Sequence, residues 1–408
     1  ASSRRTDHQV DRDHSRAARA QPSNGAVCQA MVPPPIPART SPGAAQLSAR
    51  RVGVSGNADR SPSGGRGSAI APLLLPGPPL FGDGGVNPGG CEDAKVPPEP
   101  PSERSELVVL CSLTAAIERI RSRFPSVEVV DISAGVPTDV RGDVLFGGWG
   151  PADVEAMARG VRWVQMAGTG IDNTAPEVRS AAVLTSSRGA SAVAISEYVI
   201  AAMGAFARNW PDNWLRAAPD RWNEQPAASL AGATVALFGF GGIAQRVARI
   251  ALAMEMSVVA QRRGEGPSPV PGVELVGSFA DLVASAEHVV LAAPATAQTR
   301  HVVNADSLAR MRPGVHLVNI ARGSLIDQDA LRVALDDGPV ARATLDVTDP
   351  EPLPAGHWLY EHPKVFLTPH ASWAGPPPFQ AATEQFCDNL GRYLAGEPLV
   401  GVVGEDGY

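Results

Sequence analysis

Thr234-Val235-Ala236-Leu237-Phe238-Gly239-Phe240-Gly241-Gly242-Ile243-Ala244 runs an apolar strand into glycines and then into a helix. Gly239 permits a tight turn, and Gly241 lets the backbone approach a pyrophosphate. A helix beginning near Gly242 offers unpaired N–H groups and a positive dipole end. Ala244, the third small position, lets that helix pack closely on the strand. A turn of this kind also meets steric needs in folds that bind no nucleotide, so its surroundings decide between a dinucleotide site and a bare strand-to-helix turn.

Those surroundings alternate β and α. Downstream, Ile243, Val247 and Ile250 form a stripe on the helix, and Ser257-Val258-Val259-Ala260 is the next strand, ending at Gln261-Arg262-Arg263. A helix over 279–286 and strands over 288–291 and 315–318 follow, then a helix over 328–335 and strands over 342–347 and 365–367. Six strands with intervening connections are the context a dinucleotide fingerprint requires. Upstream, strands are expected at 107–110, 127–130, 143–146, 161–164 and 182–185, with helices through Ala116, Ile117, Ile120 and Phe124, over 151–159 and over 191–207. This rhythm implies parallel sheets covered on both faces. A last helix over 379–394 has no strand to feed and is expected to pack back on the first sheet.

Residues 1–105 are rich in Pro, Gly, Ser, Ala and Arg and carry no periodicity. They are expected to be a disordered tail, a linker or upstream extension in preference to a targeting segment, because Asp7, Asp11, Asp13 and Asp59 dilute the Arg/Ser signal. With 408 residues, 44% hydrophobic content and a formal net charge of -7, the chain can build a sizeable core. The same figures speak against nucleic acid or an anionic membrane as the main partner. No run approaches a membrane span. Cys28, Cys91, Cys111 and Cys387 are far apart and have no histidine at metal-ligand spacing, so no metal is expected. They read as reduced thiols of a cytoplasmic protein, Cys111 as a core residue.

In open α/β sheets, ligands bind beyond the carboxyl ends of the strands. Arg322 follows the strand through Asn319-Ile320-Ala321, Glu351 follows Leu345-Asp346-Val347 after a short loop, and His370 follows Phe366-Leu367-Thr368-Pro369. A guanidinium can hold a carboxylate by paired hydrogen bonds, an imidazole can exchange a proton near neutral pH, and a carboxylate can orient that imidazole. Beside a nicotinamide this is 2-hydroxy acid oxidation. Singly, each residue could be a surface charge, a turn residue or a cap; their joint placement at strand ends favours the chemistry.

From about Leu107 to Val403 the chain resembles the D-isomer-specific 2-hydroxyacid dehydrogenases. The likeness is carried by Gly168-Thr169-Gly170-Ile171-Asp172, Ser196-Glu197-Tyr198, the turn Gly239 to Ala244, Asn319-Ile320-Ala321-Arg322-Gly323, Leu345-Asp346-Val347 with Glu351-Pro352, and Thr368-Pro369-His370-Ala371-Ser372. It implies an α/β fold of two Rossmann-like doubly wound parallel-sheet domains with a cleft between them. Residues 106–190 plus 372–408 would form the substrate-binding domain and 191–371 the cofactor-binding domain, with hinges near Ala190 and Ala371. It also implies roles: Arg322 binding and polarising the substrate, His370 as general acid/base, Glu351 paired with it, backbone N–H groups of Thr169 and Gly170 receiving the substrate carboxylate, and Asp346 beside the nicotinamide amide. The implied cofactor contacts are Gly239, Gly241, Gly242, Ile243, Arg262, Arg263, Ala293, Pro294, Thr299, Ala321, Asp346 and Ser372. A homodimer through the cofactor domain is a further expectation from the family.

Two departures refine the expectation. Where NAD-preferring members usually carry an acidic residue, this chain has Arg262 followed by Arg263. Arginine cannot accept from a ribose hydroxyl but can grip a 2′-phosphate, which points to NADP(H) over NAD(H). The loop Phe146-Gly147-Gly148-Trp149-Gly150 contains no Lys or Arg, which disfavours a phosphorylated substrate and favours a small 2-oxo acid such as glyoxylate or hydroxypyruvate. Trp149 and Trp373 either wall the pocket or serve as core packing. A phosphoglycerate dehydrogenase and a dinucleotide-sensing corepressor are the competing readings. Formate dehydrogenase is set aside because it carries glutamine where Glu351 stands. No regulatory domain is expected after the last helix.

Overall fold

The computed structural model describes residues 107–222, 226–375 and 379–404. The expected tail over 1–105, with Cys28 and Cys91, lies outside the described residues.

Strand β1 (Val108–Cys111) is buried at every position, as are β3 (Val144–Gly147), β4 (Trp163–Met166) and β5 (Val183–Ser186). Burial at every position in place of alternation is what a strand shows when both faces are covered, Gln165, Thr185 and Ser186 being the polar residues among them. With the half-exposed edge strand β2 (Glu128–Asp131) they form a parallel sheet in the order β2-β1-β3-β4-β5. Helices α1 (Thr114–Arg123), α2 (Pro151–Met157), α3 (Pro176–Arg179) and α4 (Ala192–Ala207) follow in chain order.

The second sheet is seven-stranded and parallel: β6 (Thr234–Phe238), β7 (Ser257–Gln261), β8 (Val273–Leu275), β9 (His288–Leu291), β10 (Val315–Asn319), β11 (Val340–Leu345) and β12 (Val365–Leu367), in the order β12-β11-β10-β9-β6-β7-β8. Its helices are α5 (Gly242–Ala253), α6 (Phe279–Val283), α7 (Ala305–Leu308) and α8 (Gln328–Asp336). Six strands were expected, and the seventh is β8. It is three residues long after a Gly/Pro-rich loop, too short to leave a period in the sequence, and it is held by pairing with β7.

Between β6 and β9 the strand order reverses, and in doubly wound sheets ligands bind at this switch point. Gly239 turns there with φ +88°, and a Cβ on it would stand 2.6 Å from the backbone of Ala293 at the end of β9. Helix α5 buries Ala244, Val247, Ala248 and Ala251, while Ile243 and Ile250, expected on the buried stripe, lie at its flanks. Small side chains carry the contact because the helix sits close to the strand.

Helix α4 packs with α5 on the second sheet, Ile195, Val199 and Met203 joining Val235, Leu237 and Val318. Helix α9 (Gln380–Leu394) returns to the first sheet, as expected from its sequence. There Phe386 stacks on Phe146 with centroids 4.4 Å apart and on Trp163 at 5.6 Å, and Tyr393 stacks on Trp163 at 5.1 Å. Cys111 and Cys387 are free and buried in that core. Among the described residues no helix is long and apolar enough to cross a membrane.

Candidate active site

Arg322 stands just past β10. Asn319 shapes its turn from both sides, accepting from the Ala321 N–H at 3.0 Å and donating to the Arg322 carbonyl at 2.8 Å. The side chain then reaches the turn after β4. Its Nε donates to the Asp172 carboxylate, its Nη1 donates to the Ala321 carbonyl at 2.6 Å, and its Nη2 lies so close to Gly170 that a Cβ there would be 1.7 Å away. The guanidinium thus occupies the space a side chain at 170 would take. The arginine of one sheet and the Gly168–Asp172 turn of the other are joined.

His370 Nδ1 donates to Glu351 Oε2 at 2.9 Å, and Glu351 Oε1 accepts from the Thr348 N–H at 2.9 Å. The hydrogen bond from Glu351 raises the His370 pKa above the ordinary histidine range, against burial and the charge of Arg322, which pull it down. Burial alone would push the Glu351 carboxyl up, but the His370 and Thr348 hydrogen bonds and the charges of His370 and Arg322 bring it below the usual range. Both shifts favour the charged forms, the imidazolium and the carboxylate, that make an ion pair. The Arg322 charge acts on both partners, so the three groups share one electrostatic site.

Asp346 organises the loop that presents the histidine. Its buried carboxylate accepts from Thr368 Oγ1 at 2.6 Å, the Ala371 N–H at 2.8 Å and the Ser372 N–H at 3.0 Å. The Thr368 proton is thereby committed, so Tyr198 of α4 donates its hydroxyl to Thr368 at 2.8 Å. This gives the Ser196-Glu197-Tyr198 motif a structural task. The resemblance implies a nicotinamide contact for Asp346; in this structure its Oδ1 accepts three hydrogen bonds and its Oδ2 one, all from the loop.

The residues expected around a dinucleotide divide into two groups. Ala293 is the floor under Gly239, and Thr299 Oγ1 donates to the Pro294 carbonyl at 2.7 Å while accepting from Thr296 N–H at 2.8 Å, which fixes the loop beyond β9. Ala321 and Ser372 are buried in the turns that carry Arg322 and His370. On the open side, a Cβ on Gly241 would meet nothing within 4 Å, and one on Gly242 only the backbone of Gly189 at 3.7 Å. Protein packing does not require glycine at 241, whereas a pyrophosphate against the α5 N-terminus does; the residues fit that group. Arg262 turns back on its own loop, its Nη2 donating to the carbonyls of Glu265, Gly266 and Pro267 at 2.8, 3.0 and 3.1 Å, and Arg263 beside it is exposed.

Trp373 Nε1 donates to the His370 carbonyl at 2.8 Å, and its ring stacks on Phe379 with centroids 5.2 Å apart. Trp149 lies 6.4 Å from the same phenylalanine. The sequence places Asp172 within its motif without a role and Phe379 only at the start of the last helix; a lone phenylalanine at a helix start carries no signal of a site. No cluster of metal-ligating side chains occurs among the described residues.

Two doubly wound domains, a pyrophosphate-compatible turn and an Arg–Glu–His group at strand ends define a dinucleotide-binding dehydrogenase architecture. Residues 200–372 match the family model described as "D-isomer specific 2-hydroxyacid dehydrogenase, NAD binding domain". The chain is 33% identical over 226 residues to (S)-sulfolactate dehydrogenase of Chromohalobacter salexigens, covering 53% of this chain and 73% of that protein. It is 33% identical over 252 residues to chloroplastic D-3-phosphoglycerate dehydrogenase 2 of Arabidopsis thaliana, covering 60% of this chain and only 40% of that protein. A crystal structure of a D-isomer specific 2-hydroxyacid dehydrogenase from Xanthobacter autotrophicus Py2, in complex with NADPH and MES, superposes with a TM-score of 0.64 at 26% identity, covering 74% of this chain and 99% of that one. The chain belongs to the D-isomer-specific 2-hydroxyacid dehydrogenase family.

Proposed function

We propose that the chain interconverts a small 2-oxo acid and its D-2-hydroxy acid with a nicotinamide dinucleotide, NADP(H) in preference to NAD(H). The observation that carries this reading is the Glu351–His370 pair sharing its field with Arg322, itself seated on Gly170. Bound at the α5 turn, the dinucleotide supplies or accepts the hydride. In the reductive direction the substrate carboxylate sits on the Thr169 and Gly170 N–H groups, Arg322 Nη2 polarises the carbonyl, and His370 Nε2 delivers the proton to the forming hydroxyl oxygen. Glu351, holding Nδ1–H, fixes the tautomer and stabilises the imidazolium before transfer.

The cofactor preference rests on Arg262 and Arg263 after β7, where no carboxylate is available to a ribose, and it draws support from the NADPH-bound Xanthobacter relative. Purified protein with NADPH and a panel of 2-oxo acids should oxidise the cofactor, and His370→Ala should abolish the turnover. Tight cofactor binding without turnover, together with a peptide partner, would identify a corepressor-like module instead. Activity confined to 3-phosphohydroxypyruvate would identify a phosphoglycerate dehydrogenase. A charge-assisted contact to a 2′-phosphate is worth about 1.5–3 kcal/mol, so kcat/KM should favour NADPH by about 10- to 150-fold, and Arg262→Ala should erase most of that ratio. A homodimer through the cofactor domain completes the reading.

A further inference from the structure

Trp149, Trp373 and Phe379 come from three separate segments, the loop after β3, the loop after β12 and the start of α9. We infer that their rings form a subsite for the substrate's side chain, one that takes an apolar branched or aromatic tail and rejects a phosphate or sulfonate. This inference rests on the dehydrogenase reading above and replaces its glyoxylate- or hydroxypyruvate-like acid with a 2-oxo acid that carries an apolar tail.

The rings stand where a tail would emerge. The edge of Trp149 lies against Gly168, Cζ2 being 2.7 Å from where a Cβ would stand, and Gly168 opens the turn whose next two residues are Thr169 and Gly170. Arg322 closes on the other end of the same turn. Trp373 is tethered to the proton donor itself, through its Nε1–H to the His370 carbonyl at 2.8 Å. Phe379 stacks on Trp373 at 5.2 Å and meets Trp149 at 6.4 Å, so it bridges the ring on the carboxylate side and the ring on the histidine side. Core packing does not account for Trp149, which is 45% exposed. An aromatic face left in water gains free energy when an apolar group covers it.

The loop that carries Trp149 is held from beneath by a carboxylate. Asp153, 2% exposed, accepts from the Trp149 N–H at 3.0 Å and the Gly150 N–H at 2.7 Å through Oδ2, while its Oδ1 is buried with no hydrogen-bond partner. Those two bonds fix the backbone of the loop beneath the Trp149 ring. Neither 146–150 nor 371–379 contains a Lys or Arg. An anionic tail would be desolvated there with no Lys or Arg in either segment to compensate, whereas an apolar tail meets three rings.

The test is kcat/KM with NADPH for glyoxylate, 4-methyl-2-oxopentanoate, phenylpyruvate and 3-phosphohydroxypyruvate. Pocket contacts of this size discriminate by about tenfold or more, so 4-methyl-2-oxopentanoate or phenylpyruvate should exceed glyoxylate by at least that factor and the phosphorylated acid should be poorest. Phe379→Leu, which keeps the apolar volume but removes the stacked ring, and Trp149→Ala should each shrink the phenylpyruvate-to-glyoxylate ratio, mainly through KM. A ratio at or below one in the parent protein overturns the subsite, as does a ratio that neither substitution moves. If no 2-oxo acid is turned over, the dehydrogenase reading has failed by itself. Quenching of tryptophan fluorescence with NADP+ present then reads the subsite directly: phenylpyruvate binding tighter than glyoxylate sustains it, and equal or weaker binding overturns it.

Discussion

His370 sits in the left-handed region at φ 52°, a conformation a histidine adopts only when its surroundings hold it there. Its N–H donates to the Asp346 carbonyl at 2.8 Å and to that of Thr368 at 3.0 Å, so the same aspartate that clamps the loop through its side chain also fixes the histidine through its backbone. Glu351 raises the histidine pKa, so the imidazolium survives above the ordinary histidine range and is lost as pH rises through the raised value. Reduction needs that proton. In Glu351→Gln the descending limb of the kcat/KM profile for reduction should move to lower pH, with kcat down roughly 10- to 100-fold; a limb that stays in place would assign it to another group. Asp172 was legible as a motif residue and illegible as a partner, because its contact with Arg322 joins side chains on different sheets. Asp172→Asn should leave the fold intact and lower kcat/KM by on the order of 10- to 100-fold through misplacement of the guanidinium. Equal activity in the variant would show that the pair is incidental.

At the scale of the element, the strand–turn–helix from β6 to α5 separates two kinds of glycine. Gly239 is needed by the protein, with φ +88° and a backbone wall at Ala293; Gly241 is at φ −84° with open space where a Cβ would go. Gly239→Ala should therefore cost about 1–3 kcal/mol of stability, read by denaturant unfolding. Gly241→Ala should unfold like the parent and lose NADPH affinity, measured by calorimetry. Loss of stability with retained affinity in Gly241→Ala would contradict the pyrophosphate site. A second element-scale feature lies within the sheet. His288 on β9 and His316 on β10 bond through their Nδ1 atoms at 3.2 Å, and His316 Nε2 bonds Thr344 Oγ1 on β11 at 2.9 Å. Burial pushes His288 down to about 4 and His316 well below the ordinary value, with the neighbouring Arg342 and His288 charges adding to the latter. The unfolded chain therefore binds more protons than the folded one between the ordinary histidine range and about pH 4. Stability should fall as pH drops through that window, and His316→Gln should flatten the slope in pH-dependent unfolding. Neither histidine announced itself in sequence, since each sits in an apolar run that reads simply as a buried strand.

At the scale of the molecule, Trp210, Trp214, Leu215 and Trp222 between α4 and β6 are 44%, 57%, 51% and 71% exposed. Arg342 anchors the beginning of this stretch through the Trp210 carbonyl at 3.0 Å. We place the contact of the proposed homodimer on this exposed aromatic stretch, because covering apolar surface in water lowers its free energy. Light scattering should give twice the chain mass, and Trp222→Asp should shift it toward the monomer; a monomeric parent protein would remove the dimer from the proposal. The sequence by itself determined the alternation of strands and helices, the glycine turn and the placement of Arg322, Glu351 and His370 beyond strand ends, because these are local patterns: apolar runs, glycines at fixed spacing, and polar residues that follow strands. Only the tertiary structure decided that β8 pairs as a seventh strand, that Asp346 and Tyr198 hold the histidine loop, that Asp172 meets Arg322, and that Phe379 joins two tryptophans. Each of these is a contact between residues far apart in the chain, and its energy exists only once packing has brought the two segments together.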